Sequence, residues 1–246
     1  GRRVGLPELA GPYLFSVVAF ALAASLVLLR LRPDPLELTA VPPTEDAVVP
    51  GGVRVSLAAV VTAPRALLGL VAVCVAHAVM VGVMVMTPVH LVDHGATLRV
   101  VGLVISAHVI GMYAASPVFG WLSDRAGRTP TIALGVVLLA GSLAVAGTSQ
   151  SSHDRAGLGL MLLGLGWSAC LVAGSTMVSE SVPDDVRTSV QGVADLLMGL
   201  SGAAAGALAG VALGLVGYGG LNAAAALLLT PVVLLALAAG RRPRPA

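Results

Sequence analysis

Charge is scarce in this chain. Only 11% of its 246 residues are Asp, Glu, Lys or Arg, where a soluble domain carries roughly 25%, so an ordinary water-soluble globule is excluded. Lysine is missing altogether, and all 14 basic residues are Arg. Aromatic residues make up 3% and the formal net charge is +2, which leaves a nucleic-acid surface without its basic and stacking groups. The two cysteines, Cys74 and Cys170, lie inside apolar runs and read as packed thiols rather than a disulfide or a metal pair. The chain opens Gly-Arg-Arg without an initiator Met, and nothing in it resembles a signal peptide with its cleavage site. The expectation is a piece of a longer chain.

What remains is apolar: 57% of residues are hydrophobic and the mean hydropathy is +0.96. Long apolar runs recur with short polar interruptions, which predicts spanning α-helices rather than a barrel of short alternating strands. The fold class expected is an all-α polytopic membrane protein with seven transmembrane helices, near 12–31, 66–91, 98–122, 131–147, 157–178, 190–216 and 221–239. Between the first two lies a proline-rich, acidic stretch, Pro33 to Pro64, whose last part, Val53 to Val61, suits a short interfacial helix. Placing the C-terminal tail inside gathers Arg30, Arg32, Arg54, Arg65, Arg125, Arg128, Arg187, Arg241, Arg242 and Arg244 on one side. Only Arg2, Arg3, Arg99 and Arg155 fall on the other. By the positive-inside rule the linker and C-terminus are expected to be cytoplasmic, in a multi-pass protein of the cell membrane.

Three charges interrupt the third and fourth runs. Asp124, Arg125 and Arg128 sit in Gly120 to Pro130, Gly-Trp-Leu-Ser-Asp-Arg-Ala-Gly-Arg-Thr-Pro, and each would cost about 2.5–3.5 kcal/mol at mid-bilayer. The stretch must therefore be a water-facing turn, with Gly127 permitting the reversal. Its form, Gly-x-x-x-Asp-Arg-x-Gly-Arg, resembles the signature of the major facilitator superfamily of secondary transporters, where it joins the second and third helices of a six-helix half. Glu180 to Gly192 is similar to that family's Pro-x-x-x-Arg-x-x-x-x-Gly loop, and Gly202, Gly206, Gly210 and Gly214 form a small-residue stripe in the next span.

The resemblance implies that the spans correspond to helices six to twelve of twelve. Residues 1–32 would be an outer loop and the last helix of an N-terminal half, 33–65 the cytoplasmic central linker, 66–240 a six-helix transport bundle and 241–246 a cytoplasmic tail. It further implies a transporter that is not an enzyme and needs no cofactor. It would move a small-molecule substrate by alternating access, coupled to protons, with export one possible direction. Its partners would be the substrate, protons, the lipid bilayer and the absent N-terminal half. By the same resemblance Gly120, Asp124, Arg125, Gly127 and Arg128 form a gating motif.

Polar groups inside spans are the remaining candidates, because such groups mark sites and ion paths. His77, His108 and Asp195 are candidates for a cavity or for proton coupling; the alternative is hydrogen-bonded packing for the histidines and an ion pair with Arg187 for Asp195. Glu180 and Arg187 are rim candidates. Trp167, Ser168 and Thr176 could touch substrate. His90, Asp93 and His94 form His-x-x-Asp-His, a weak metal-ligand pattern whose alternatives are a solvated mouth or an outer gate. Two rival functions are open: a membrane-embedded metal-binding enzyme, and a non-transporting sensor or scaffold with the same fold.

Overall fold

The computed structural model describes residues 11–32 and 52–240. The expectations for residues 1–10, most of the linker and the tail from 241 lie outside them. The chain divides into two units, residues 1–49 and 50–246. In the first, α1 (Gly11–Arg30) carries no charged residue before Arg30 at its end, and Arg32 donates from Nε to the Leu28 carbonyl at 3.1 Å, closing the helix end.

The second unit contains eight helices among the described residues: α2 (Val53–Thr62), α3 (Pro64–Asp93), α4 (Leu98–Tyr113), α5 (Ser116–Ala126), α6 (Arg128–Gly147), α7 (His153–Glu180), α8 (Asp184–Leu227) and α9 (Thr230–Gly240). The short helix expected at Val53 forms, and its buried Ser56 and Val60 hold it against the bundle, with Ser56 Oγ 2.8 Å from Ser189 Oγ on α8. Pro64 begins α3, where its missing N–H costs nothing. At 30 residues this helix is about 45 Å long, more than the roughly 30 Å hydrocarbon layer, so it is long enough to span with tilt.

Two spans differ in detail from the sequence reading. The third is not one continuous helix: it breaks at Ala114–Ala115 into α4 and α5. Pro117 is the cause, because without an N–H it leaves the Tyr113 carbonyl, four residues back, unpaired. The last two spans, conversely, run together as one apolar helical stretch, Asp184–Ala238, of 55 residues. That length would be about 80 Å of straight helix, and Gly217, at φ +68°, interrupts it. Contacts on either side show the chain doubling back. Gly202 meets His77 midway along α3, Tyr218 reaches Thr87 near one end, and Val232 packs with Leu68 and Ala72 near the other. Divided at Gly217, the stretch supplies two apolar lengths, and the described residues then contain seven suited to crossing a membrane. Only glycine adopts that φ without strain, so Gly217→Val is expected to lower the thermal unfolding midpoint in detergent, whereas Gly141→Val, which meets open space, is not.

The centre of the bundle is α7. Gly164 of α7 lies so close to α4 that an added Cβ would sit 2.4 Å from the His108 carbonyl oxygen. On another side an added Cβ at Gly135 of α6 would come within 3.0 Å of the Gly166 carbonyl oxygen, and at Gly69 of α3 within 2.6 Å of the Gly174 oxygen. Three helices thus touch α7 backbone to backbone, and Leu160, Leu163, Leu139, Val79 and Val83 fill the core between them.

Candidate functional site

Polar side chains gather at three depths. At one end of the bundle α5 stops at Ala126, Gly127 turns the chain at φ +101°, and α6 begins with Arg128. The turn folds the Arg128 guanidinium back over the preceding helix. Its Nη1 donates to Asp124 Oδ1 at 2.6 Å and to Ser123 Oγ at 3.2 Å. Its other edge donates to both oxygens of Glu180, Nη2–Oε1 at 2.8 Å and Nε–Oε2 at 3.2 Å. A two-pronged bond of this kind fixes orientation as well as distance. Glu180 is the last residue of α7, and Arg65 at the start of α3 is close enough to act on it electrostatically.

Arg187 clasps the same helix end by another route. Its Nε donates to the Ser179 carbonyl at 2.8 Å, and it pairs with Asp184 on its own helix. The ion pair with Arg187 that was the alternative reading for Asp195 is not formed; Arg187 takes the nearer carboxylate of Asp184, three residues away on the same helical face. Two guanidiniums thus face the carbonyl end of α7, where the helix dipole favours positive charge. Arg125 lies 5.6 Å from the centre of the Trp121 ring, and Gly120 faces open space.

The second group lies at mid-height. His77 is midway along α3, Trp167 midway along α7, Tyr113 midway between Leu98 and Ala126, and Gly202 midway between Asp184 and Gly217. The Trp167 indole N–H donates to His77 Nδ1 at 3.2 Å. Tyr113 stands edge to face against Trp167, with ring centres 6.2 Å apart at 77°. Gly202 makes room for the imidazole, since a Cβ there would fall 2.5 Å from His77 Cδ2. Ser168, next to Trp167, is buried and bonded to Ser116 at 3.0 Å, and Thr176 bonds the Val172 carbonyl of its own helix. Met80 and Thr87, which share a face with His77, are buried.

His108 is fully buried where α4 meets α7, with Nδ1 2.8 Å from the Leu160 carbonyl oxygen and Nε2 without a partner among the described residues. Asp195 is exposed on α8. Sequence reasoning weighed Trp167 but passed over Tyr113. In a chain with 3% aromatic residues, any ring at mid-span was a usable signal.

The third group is at the opposite end. His90 stacks on Tyr218 at 4.1 Å and 8°, and its Nε2 lies 2.9 Å from the Gln150 carbonyl oxygen. His94 uses Nδ1 on the His90 carbonyl at 2.8 Å, while Asp93 is exposed. Tyr218 meets Thr87 at 2.8 Å. Since Thr87 donates to the Val83 carbonyl, the tyrosine hydroxyl is the donor between them. Among the described residues, no three His, Cys, Asp or Glu side chains are placed to hold a metal ion.

A charged turn between two spans is the arrangement implied by the signature from Gly120 to Arg128; its clasp on a third span through Glu180 was not part of that expectation. Residues 69–246 match the pattern of the Major Facilitator Superfamily. The chain belongs to that family. Among its Major Facilitator relatives in Bacillus subtilis (strain 168), it is 40% identical over 239 residues to the protein named "Uncharacterized MFS-type transporter YddS", covering 94% of this chain and 54% of the relative. It is 37% identical over 238 residues to "Uncharacterized MFS-type transporter YdeG" of the same organism, covering 94% and 55%. A third relative, "Riboflavin transporter RfnT" of Brucella anthropi, is 32% identical over 183 residues, covering 72% of this chain and 46% of the relative. The chain spans about half the length of these relatives.

Proposed function

We propose that this chain is the C-terminal part of a secondary transporter that carries a small molecule by alternating access, with the Arg128 end in the cytoplasm. The observation that carries the reading is the Arg128 fork, which ties the turn after α5 to the last residue of α7. In this reading the fork is part of an inner gate: while it holds, α5, α6 and α7 keep one arrangement at the cytoplasmic rim. Residues 33–65 act as the linker to an N-terminal half, and 66–240 as the transport bundle.

His77 belongs to the substrate cavity and His108 to the wall behind it. Asp195 is the proposed proton-coupling group. It is the only acidic residue between Val190 and Gly240, and a carboxylate within a span either faces water or takes a proton. Transport out of the cell is the proposed direction, which energised inside-out and right-side-out vesicles distinguish.

Purified protein in proteoliposomes with an internal pH-sensitive dye tests the reading. Proton flux on adding a transported compound is expected, and Asp195→Asn should remove that flux while leaving exchange of labelled for unlabelled compound intact. No flux and no exchange with any compound of a broad panel would instead favour a sensor or scaffold with this fold. The orientation has its own check. A Cys at Arg125, in a Cys74→Ser, Cys170→Ala background, should react with an impermeant maleimide only when the cytoplasmic side is open to it. Labelling from outside intact cells would reverse the topology.

A further inference from the structure

Taking the mid-height cluster to be the substrate site just proposed, its chemistry narrows what it can take. The indole N–H of Trp167 can donate but not accept. Its bond to His77 Nδ1 therefore makes that nitrogen the acceptor and leaves the ring hydrogen on Nε2. Nε2 makes no hydrogen bond among the described residues, and it is not sealed from the surface. Gly202 presses on the edge that carries it, so that an added Cβ would stand 2.8 Å from Nε2. The imidazole is thus held on two sides, and its Nε2–H is left without a hydrogen-bond partner among the described residues. Beside it Tyr113 keeps 61% of its surface exposed while its ring is steadied against the buried Trp167. The ionisable side chain on α8 in this region, Asp195, is seven residues from Gly202, about 10 Å along the helix, so the rings themselves sit in an uncharged setting.

We propose that the His77, Trp167 and Tyr113 cluster binds an uncharged planar heteroaromatic compound. An in-plane acceptor of that compound takes the His77 Nε2–H, and its ring stacks on Tyr113. Trp167 is a positioning residue: it sets which imidazole nitrogen carries the hydrogen, and it does not itself touch the acceptor. Stacking is worth about 0.5–1.5 kcal/mol beyond area burial and does not distinguish ring atoms. The hydrogen bond does, because a compound lacking the acceptor leaves Nε2–H unpaired, at about 1–3 kcal/mol. Affinity and selectivity therefore rest on different residues.

The matched probes are quinoxaline and naphthalene, which share shape and differ in two ring nitrogens. The protein has two tryptophans, Trp121 and Trp167, so Trp121→Phe leaves Trp167 as the reporter of binding by fluorescence quenching. Saturable quenching by quinoxaline is expected, with naphthalene about tenfold weaker. In equilibrium dialysis His77→Ala should abolish the preference and His77→Gln, which keeps an amide donor, should retain part of it. Trp167→Phe should weaken quinoxaline alone, and Tyr113→Ala should weaken both probes equally.

Equal binding of the two probes by the Trp121→Phe protein, or a preference that survives His77→Ala, overturns the proposal. So does the absence of saturable quenching. Each comparison with the unaltered site requires no folding of a core variant. Binding is read without transport, so a protein that binds quinoxaline selectively but moves nothing across vesicles refutes the transport reading and leaves this one standing.

Discussion

Arg128→Ala is expected to slow transport severalfold while leaving the protein folded and in the membrane. The guanidinium makes four hydrogen bonds, two of them to Glu180 and one to Asp124. Exposed ion pairs contribute little to stability, typically about 0–1 kcal/mol, and Asp124 and Glu180 have side chains 74% and 50% exposed. The thermal midpoint should therefore hardly move.

The equilibrium between inner arrangements is another matter. Losing about 1 kcal/mol from one of two arrangements, the upper end for such pairs, shifts their populations about fivefold. Arg128→Lys keeps the charge but loses the fork, and should restore only a small part of the rate. The exchange Arg128→Glu with Glu180→Arg should recover more activity than either single change. Vesicle transport with surface expression checked measures all five variants, and an Arg128→Ala protein of normal rate would remove the fork from the proposed gate.

Gly164→Ala should be among the most damaging single changes for folding. One methyl group there would lie 2.4 Å from the His108 carbonyl oxygen and 2.9 Å from the Met112 nitrogen, and backbone atoms cannot rotate aside as a side chain can. Overpacking of this kind typically costs about 1–3 kcal/mol, and here two helices must separate along their contact to relieve it. Gly141→Ala is the matched control. It sits in α6 with nothing within 4 Å of an added Cβ, and the gain in helix propensity should stabilise by about 0.5–1 kcal/mol. The prediction is thus two thermal shifts of opposite sign from the same chemical change, read by fluorescence melting in detergent. A Gly164→Ala protein that melts with the parent would show that α4 and α7 are not in direct backbone contact.

The membrane spans, the charged turn and the short helix after Val53 were legible because each rests on local chemistry: length of apolar run, cost of charge in hydrocarbon, and glycine beside proline. Two features of the bundle were not. The stripe from Gly202 to Gly214 drew attention through its regular spacing, yet Gly210 and Gly214 meet nothing in the bundle, while Gly202 and Gly206 accommodate His77 and Val81. The tight contacts belong instead to Gly164, Gly166 and Gly174 of α7, whose spacing is less regular because they face three different helices. Spacing reveals a shared face only when one neighbour is involved.

The site shows the same limit. Glu180 was identifiable as a rim acid and Arg128 as a turn cation, but their 52-residue separation is closed only by the return of α7 to the same end. Tyr218 and its stack on His90 depend likewise on the reversal at Gly217. His-x-x-Asp-His was a weak ligand pattern beside the readings of a solvated mouth or an outer gate; His90 and His94 each use a nitrogen on a main-chain carbonyl, and no third ligand joins them among the described residues.

The interruption at Ala114–Ala115 bears on how this protein can move. Above it α4 is locked to α7 through Gly111 and Gly164, and below it α5 meets α7 through Ser116 and Ser168 and carries Asp124 to the rim. Bending the upper rod would open the close main-chain packing against α7, so any swing of α5 has its fulcrum where Pro117 has already removed a rung. Tyr113 is the last residue before that fulcrum, which sets the pivot of any such swing beside the ring on which cargo is proposed to rest.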